Sequence, residues 1–255
     1  MKSDKKVLLE EMSRPEIEGA IANGTDTVLI MAGAIEQHGP HLPIGTDTIL
    51  GYEWGKQIAW ALGNALVAPV IRPGISPHHM GFPGTITLPK ETFHEVVRAY
   101  VDCLIQAGFC NVVLICSHGG NIAAVRELLP ELQERYAEKA NVIAILDIQR
   151  KDEDLNRWLA SRGITAEEAG VHSGLSETSC MMDLRPELVH TDRLEPGFMG
   201  SYDSIELHQK GIEAFAANGI LGDATQSTAE IGAELNQKTV EFYYRKIRRL
   251  LQEAK

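Results

Sequence analysis

Two carboxylates and two histidines lie close together in the sequence GAIEQHGPHLPIGTDT, residues 33–48: Glu36, His38, His41 and Asp47. Glu36 and His38 are two residues apart, so on extended chain both side chains face the same way. A carboxylate and an imidazole are suitable ligands for zinc, manganese or iron. The stretch therefore predicts one half of a metal site.

Asp47 has two interpretations. It follows a loop rich in glycine and proline, at a position where a helix is predicted to begin. Aspartate is a favoured N-cap, and Thr46 and Thr48 are competitors for the same role. Taken alone, Asp47 is better explained as a cap; taken together with Glu36 and His38, it is better explained as a metal ligand.

His118 follows a buried apolar run in the sequence ICSHGGN. Gly119 and Gly120 permit a tight bend and Asn121 is a plausible N-cap, so these three residues have a structural explanation. That explanation does not account for a histidine at the carboxyl end of a buried strand. We therefore add His118 to the candidate metal ligands. A phosphate-binding P-loop is excluded, because GxxxxGK[ST] is absent.

The sequence HSGLSETS supplies the last candidates, His172 and Glu177. Glu177 falls in the first turn of a predicted helix, where a negative charge is favourable in any case, and His172 lies in a loop. Close to a metal ion, such a pair supplies a proton-transfer group and a further ligand. A serine nucleophile at Ser117 or Ser176 is disfavoured, because the chain has no GxSxG elbow.

Six of the nine histidines fall in polar clusters that follow apolar runs: His38, His41, His78, His79, His118 and His172. We expect these six to converge at one edge of a sheet. His78 and His79 are predicted to line a pocket or a subunit surface rather than to bind metal directly. The other three, His94, His190 and His208, are predicted to be surface residues or satisfied core residues.

The pattern of apolar residues predicts an α/β fold. Buried strands are predicted at 27–35, 65–73, 111–117 and 141–148, and helices at 47–63, 90–108 and 121–139, with Pro130 kinking or interrupting the third. Short helices at 152–161 and 174–183 and a long helix from about 225 complete the pattern. The alternation predicts a three-layer α/β/α sandwich with a mainly parallel sheet, as one domain over residues 1–255. Sites in such sheets form beyond the carboxyl ends of the strands.

Composition restricts the partners. The net charge of -11, from 24 basic and 35 acidic residues, disfavours nucleic acid and anionic membranes. A basic stretch at 243–251 is explained as the solvated face of a terminal helix. The four cysteines form no CxxC pair and are interpreted as buried thiols in a reducing compartment. Without a signal peptide or a bilayer-spanning run, the chain is predicted to be cytoplasmic.

The motifs GAIEQHGPHLPIGTDT, GFPGTITL, SHGGN and HSGLSETS, in this order, resemble the creatininase (creatinine amidohydrolase) family over about residues 25 to 190. The resemblance implies a three-layer α/β fold and a homohexamer. It also implies two divalent metal ions per chain, zinc or manganese with iron as an alternative. The implied activity is hydrolysis of a C–N bond in a cyclic or small amide by a metal-activated water.

When the metal ligands of the family are matched to this sequence residue by residue, the resemblance implies that Glu36 and His118 hold one metal. It also implies that His38 holds the other metal and that Asp47 bridges both. His172 matches the proton-transferring histidine of the family, and Glu177 matches the acid of its E-T-S motif.

The sequence also departs from the creatinine-specific pattern. Creatinine-specific members carry H-Y-E where this chain has His118, Gly119 and Gly120, so one metal ligand must come from elsewhere, and Glu177 is the candidate. The Trp-Asp pair expected shortly before His172 is also absent. The H-G-G-N form looks more like relatives that act on formamide-bearing pyrimidines or on a peptide precursor of a redox cofactor. A catalytically silent metal-binding member is the alternative from another class.

Overall fold

The computed structural model describes residues 5–253, except for the side chains of residues 148–150 and 204. Within that range four strands form a parallel sheet in the order β2-β1-β3-β4. The strands are β1 (Thr27–Ala32), β2 (Ala65–Val67), β3 (Asn111–Cys116) and β4 (Asn141–Ile145). They are runs of buried, mostly aliphatic residues without alternation, as expected for strands covered on both faces.

The α-helices alternate with the strands and then dominate the second half of the chain. They are α1 (Arg14–Ala22), α2 (Thr46–Leu62), α3 (Lys90–Gln106), α4 (Ile122–Tyr136), α5 (Ile148–Ala160), α6 (Ala166–Ala169), α7 (Leu175–Leu184), α8 (Ser204–Lys210) and α9 (Ala229–Glu253). None of the helices between residues 5 and 253 combines the length and the apolar character needed to cross a bilayer.

The helices cover the sheet on both faces. The connection from β1 to β2 and the connection from β2 to β3 cross the sheet in opposite directions, so right-handed crossovers place α2 and α3 on opposite faces. Helices α7 and α9 pack together on the side of α2, while α4 packs beside α3. The predicted three-layer α/β fold with a parallel sheet is confirmed.

The order of the strands creates a switch point between β1 and β3. The chain leaves β1 toward β2 at one edge and leaves β3 toward β4 at the other, so a crevice opens at their carboxyl ends. Asn121 joins the two strand ends: its amide donates to the carbonyl oxygens of Ala32 and Gly33, and its Oδ1 accepts from the N–H of Ile75. Asn121 is the N-cap residue of α4, as expected, but its side chain connects three segments and makes no capping hydrogen bond.

Pro130 does not interrupt α4, which runs continuously from Ile122 to Tyr136. The proline removes one backbone N–H from the helix ladder. Leu128 and Leu132 are buried on either side of it, and this apolar face continues to Tyr136. Packing on the sheet therefore outweighs the missing hydrogen bond, and the predicted interruption is wrong.

The prediction of buried thiols holds for Cys116 and Cys180 but is wrong for Cys103 and Cys110, which are exposed. The buried residues of α3 include Phe93, Val97 and Val101, four residues apart, whereas Cys103 lies on the outer side of that helix.

The contact between α7 and α9 depends on Gly232. A Cβ atom at this position would lie 1.8 Å from the carbonyl oxygen of Ser179. We expect Gly232→Ala to lower the free energy of unfolding by about 2–3 kcal/mol, because the clash is with rigid backbone. Urea denaturation measures the change.

Gly19 is the matched control, since a Cβ there meets no atom of the described chain within 4 Å. Gly19→Ala should raise stability by about 0.5–1 kcal/mol through helix propensity alone. Equal stability of Gly232→Ala and the unmodified protein would contradict the packing of α9 on α7.

Candidate metal centre

Glu36, Asp47 and His118 meet in the crevice beyond β1 and β3. Nδ1 of His118 lies 3.3 Å from Oε1 of Glu36 and 3.3 Å from Oδ2 of Asp47. All three side chains are buried, and their donor atoms lie within 4.8 Å of one another. Oε2 of Glu36 and Oδ2 of Asp47 have no hydrogen-bond partner in the described part of the chain. Buried acceptors without donors fit a bound cation.

A second group lies on the other side of Asp47. Nε2 of His38 is 3.7 Å from Oδ1 of Asp47 and 3.9 Å from Oε2 of Glu177. Asp47 therefore turns one oxygen toward His38 and the other toward His118. Glu177 projects from the first turn of α7, and its Oε2 also accepts the N–H of Ser173 at 2.6 Å.

Backbone carbonyls hold the two imidazoles in fixed orientations. Nδ1 of His38 donates to the carbonyl oxygen of Glu36 at 3.0 Å, which leaves Nε2 facing Asp47 and Glu177. Nε2 of His118 donates to the carbonyl oxygen of Ile75 at 3.0 Å, which leaves Nδ1 facing Glu36 and Asp47. A hydrogen bond on the outer nitrogen is the usual support for a metal-ligating histidine.

The structure excludes one of the two interpretations of Asp47. Helix α2 begins at Thr46 with Gly45 as its N-cap, so Asp47 lies inside the first turn and the capping interpretation is wrong. Thr46 and Thr48 do not compete for the cap either, because their hydroxyls donate to the carbonyl oxygens of Pro43 and Ala34. The carboxylate of Asp47 is directed into the centre, where the helix N-terminus favours its negative charge.

His172 lies within reach of both groups. Its Nε2 donates to the carbonyl oxygen of Gln37 at 2.8 Å, and its Nδ1 lies 3.7 Å from Oε1 of Glu36. Nδ1 is therefore the nitrogen available for proton transfer or for coordination. Together with His38 and Glu177 it forms another set of donors within 4.8 Å.

His79 lies closer to the centre than the sequence indicated. It lines the cavity beside His78, as one of the two predicted alternatives stated, but its Nε2 is also 3.3 Å from Oε1 of Glu36. It is buried there, so the subunit-surface alternative is wrong for this residue. The only sequence signal was the pair His78-His79 after the second apolar run. No other candidate ligand lies near that pair in the sequence, so the signal was weak.

Gln37 was missed by the sequence reasoning. Its buried amide nitrogen donates to the carbonyl oxygen of Gly219 and to Nδ1 of His79, and its Oε1 accepts from the N–H of Gly39. Because His79 accepts through Nδ1, its Nε2 carries the proton that faces Glu36. The only sequence signal for Gln37 was its position between two candidate ligands.

The remaining histidines agree with the prediction that His94, His190 and His208 are surface or satisfied core residues, and His190 and His208 are exposed. His41 is buried and its Nε2 contacts Oγ1 of Thr178 at 2.8 Å, so it supports α7 from below the centre. His94 donates to the carbonyl oxygen of Ala124 and is a satisfied core residue, as predicted. His208 also lines the cavity over the centre, and its ring lies 4.5 Å from that of His78.

Burial and mutual attraction perturb the pKa values of the cluster. Burial raises the pKa of Glu36 to about 7 against the opposing effect of His118. Burial opposes the charge of His38 and His118, but the carboxylates outweigh it and raise the pKa of His38 to about 10 and that of His118 to about 9. The same attraction outweighs burial at Asp47 and holds its pKa well below the usual range. Burial lowers the pKa of His172.

A cavity of about 320 Å³ opens onto the cluster. Its floor includes Glu36, Asp47 and His118, so a molecule in the cavity reaches the candidate ligands directly. Its apolar wall comes from the chain around α8 and from the loop that follows it: Tyr202, Leu207, Ile212 and Leu221. The dimensions suit a small molecule or a short segment of peptide.

Comparison with known protein families identifies the scaffold. The family model of creatininase, described as creatinine amidohydrolase, matches residues 10–247. The chain belongs to the creatininase family. The groups around Asp47 are formed by residues of the motifs that carried the resemblance, Glu177 among them.

Relatives in this family differ in their named substrates. The chain is 30% identical to the mycofactocin precursor peptide peptidase of Mycobacterium ulcerans, over 84% of this chain and 82% of the relative. It is 29% identical to the creatinine amidohydrolase of Pseudomonas putida, over 89% and 91%, and 26% identical to the 3-dehydro-scyllo-inosose hydrolase of Thermotoga maritima, over 89% and 78%. One is named as a peptidase, one as an amidohydrolase and one as a hydrolase, and this chain is a hydrolase of the creatininase family.

Solved creatininase structures superpose on most of the chain. A creatininase variant described as Zn-Zn type matches with a TM-score of 0.77 at 28% identity, over 96% of this chain and 98% of the other. A manganese creatininase matches with a TM-score of 0.75 at 27% identity, over the same shares. Those two proteins are therefore metal-bound creatininases with the fold seen here.

Gly120 occupies a position where a side chain does not fit. A Cβ atom there would lie 2.3 Å from the carbonyl oxygen of Ile75 and 2.4 Å from Nε2 of His118, the two atoms of the hydrogen bond that orients the imidazole. We expect Gly120→Ala to displace His118 and to weaken metal binding at least tenfold, because lost support of a ligand typically costs 10–100-fold in affinity. Titration with zinc against a competing chelator measures this.

Gly119 provides the control in the same turn, since a Cβ there meets nothing within 4 Å in the described chain. Gly119→Ala should leave zinc affinity unchanged. Equal loss of affinity in both variants would show that the turn, and not the position of His118, is responsible.

Metal binding should strengthen as the pH rises. The carboxylates raise the pKa of His38 to about 10 and that of His118 to about 9, so near neutral pH both imidazoles hold protons that an incoming ion must displace. A group with a raised pKa releases its proton as the pH approaches that pKa. The apparent dissociation constant should therefore fall about tenfold per pH unit for each imidazole displaced. Chelator competition at several pH values, corrected for protonation of the chelator, measures the slope; a pH-independent constant would contradict the assignment.

Proposed function

We propose that this member of the creatininase family is a metal-dependent amidohydrolase that binds two divalent ions, zinc or manganese, around Asp47. One observation supports this proposal above all: Oδ1 of Asp47 faces His38, and Oδ2 of Asp47 faces His118. Because each oxygen of this carboxylate faces a different buried histidine, the carboxylate is suited to bridge two cations.

The chain offers a set of ligands to each ion. Glu36, Asp47 and His118 would hold one ion, and His38, Asp47 and Glu177 would hold the other. Glu177 would supply the carboxylate ligand that Gly120 cannot provide, because glycine has no side chain. Carboxylate and imidazole donors suit zinc and manganese. When bound, such ions lower the pKa of a water molecule and polarise a carbonyl group.

His172 is the candidate for proton transfer. Its Nε2 is occupied by the carbonyl oxygen of Gln37, so Nδ1 is the atom that takes and releases the proton. Burial lowers the pKa of His172, which keeps the ring neutral near pH 7 and able to accept a proton. Transfer of that proton to the departing nitrogen contributes typically about 10²–10⁴-fold to the rate.

A linear amide or a short peptide is the substrate that we favour. Gly119 and Gly120 replace the tyrosine and glutamate that the creatinine-specific pattern carries after the third strand. The most similar relative described above is a peptidase that acts on a precursor peptide. The cavity over the centre has an apolar wall able to hold an aliphatic or aromatic side chain.

A cyclic amide such as creatinine is the second candidate. It is supported by 29% identity to a creatinine amidohydrolase across nearly the whole chain. A formamide-bearing pyrimidine carries a linear amide, and its hydrolysis also breaks an amide C–N bond. A catalytically silent member is disfavoured, because Glu36, His38, Asp47, His118 and Glu177 are all present and grouped.

Two variants separate metal binding from turnover. Asp47→Ala should lose both the metal and the activity, because it removes the ligand shared by the two groups. His172→Ala should keep its metal and lose about 100-fold or more in turnover. Elemental analysis and hydrolysis assays on short peptides, creatinine and formamidopyrimidines measure the two properties.

Glu53→Ala is the control, since Glu53 lies on the same helix as Asp47 and pairs with Lys56 away from the centre. It should keep both properties. Asp47→Ala with full metal content would contradict the bridging role, and metal-free His172→Ala would make His172 a ligand. Absence of hydrolysis by the metal-loaded protein on all three classes of substrate would favour the silent member.

A further inference from the structure

Two cavities, and not one, meet at the candidate centre. A second cavity of about 200 Å³ shares part of its lining with the first. The shared residues are Ser117, Gly119, Val171, His172 and Glu177. The candidate proton-transfer residue and one candidate metal ligand therefore stand between two spaces. A linear amide has a substituent on its carbonyl carbon and another on its nitrogen, and it needs room on both sides of the bond that breaks.

The second cavity differs from the first in its polarity. Where the first has an apolar wall around α8, the second is bordered by α5, α7 and α2. Its polar side chains include Lys151, Asp152, Asn156 and Ser176, and Trp54 adds an aromatic face. The ammonium group of Lys151, the amide of Asn156 and the hydroxyl of Ser176 can each donate to an anionic group, while the carboxylates of Asp152 and Glu177 line the same recess.

Lys151 is the unusual residue in this cavity. Its side chain is only 13% exposed, and its Nζ lies 3.2 Å from Oδ1 of Asp152 and 5.8 Å from the ring centroid of Trp54. Both neighbours line the same cavity. Burial opposes the charge of Lys151, but Tyr243 and the direct ion pair with Asp152 outweigh it and raise the pKa of Lys151, so its ammonium group is charged. An ammonium group carries three N–H donors, so the pair with Asp152 leaves donors for a second anion.

We propose that Lys151 binds a carboxylate group of the substrate in the second cavity. The substrate is then an amide or peptide that carries a carboxylate on one side of the bond to be hydrolysed, as the C-terminal end of a peptide does. The inference rests on the proposed function, and it narrows the substrate from amides in general to anionic amides.

A purely structural role for Lys151 makes a different prediction. If its charge only stabilises the buried groups around Glu177 and Cys180, removing it affects neutral and anionic substrates alike. If it binds a carboxylate, the loss is confined to anionic substrates. Matched pairs of ligands therefore distinguish the two roles.

The test uses N-acetylated dipeptides with a free C-terminal carboxylate and the same dipeptides as C-terminal amides. Their binding to the zinc-loaded full chain is measured by isothermal titration calorimetry, and their hydrolysis is followed separately. We expect the acids to bind about tenfold to a hundredfold more tightly than the amides, the usual range for a hydrogen bond to a charged group. Lys151→Met should abolish this preference with little effect on the amides, and Lys151→Arg should retain part of it.

Lys238→Met is the matched control. Lys238 also stands over a tryptophan, 5.3 Å from the ring centroid of Trp158, and like Lys151 it lines an outer groove between α5 and α9, but it does not line the second cavity. Its substitution should leave the preference for acids unchanged. Thermal denaturation and zinc content verify that each variant is folded and loaded.

Equal binding of acids and amides by the unmodified protein, or binding of neither, would overturn the inference without any variant. A preference for acids that survives in Lys151→Met would overturn the role of that residue. A preference that depends on Lys151, with no hydrolysis of either series, would support the carboxylate site and count against the proposed amidohydrolase activity. These outcomes therefore distinguish failure of the carboxylate site from failure of the proposed amidohydrolase activity.

Discussion

Three carboxylates and several histidines share one buried crevice, and this concentration of charge is the constraint on which the site depends. Glu36 and Asp47 are almost fully buried and lie on either side of the same nitrogen of His118. Ionised carboxylates this close cannot coexist away from water without positive charge between them. Protons on His38 and His118 supply that charge in the metal-free protein, and divalent ions would supply it more completely. The carboxylate oxygens of Glu36 and Asp47 that have no hydrogen-bond partner in the described chain mark where such ions would lie.

The fold provides this crevice through its strand order. Strands β1 and β3 diverge at the switch point, and the segments that follow them bring Glu36, His38 and His118 to one place. Asn121 holds the strand ends together, and the glycine at position 120 leaves room for the imidazole of His118. Helix α7, packed closely on α9, presents Glu177 from the opposite side. The site is therefore assembled from distant parts of the chain, each fixed by backbone hydrogen bonds or by close packing.

Much of this arrangement could be predicted from the sequence. The strands and main helices follow from apolar runs and their spacing, and Glu36, His38, Asp47, His118 and Glu177 follow from motif and resemblance. Contacts made through tertiary structure could not be predicted in this way: His79 and His208 reach the cavity only because separate loops fold over it. The continuity of α4 through Pro130 likewise depends on packing against the sheet. The roles of the site residues, the single domain, the hexamer and the cytoplasmic location stay predictions.

We propose that Asp47 bridges two metal ions and that Glu177 completes the ligands of one of them. Anomalous diffraction at the zinc or manganese absorption edge from crystals of the loaded protein locates both ions and their ligands. We expect two anomalous peaks per chain, one next to Glu36 and His118 and the other next to His38 and Glu177, with one oxygen of Asp47 on each. A single peak, or two peaks with Asp47 or Glu177 outside bonding distance, would contradict it.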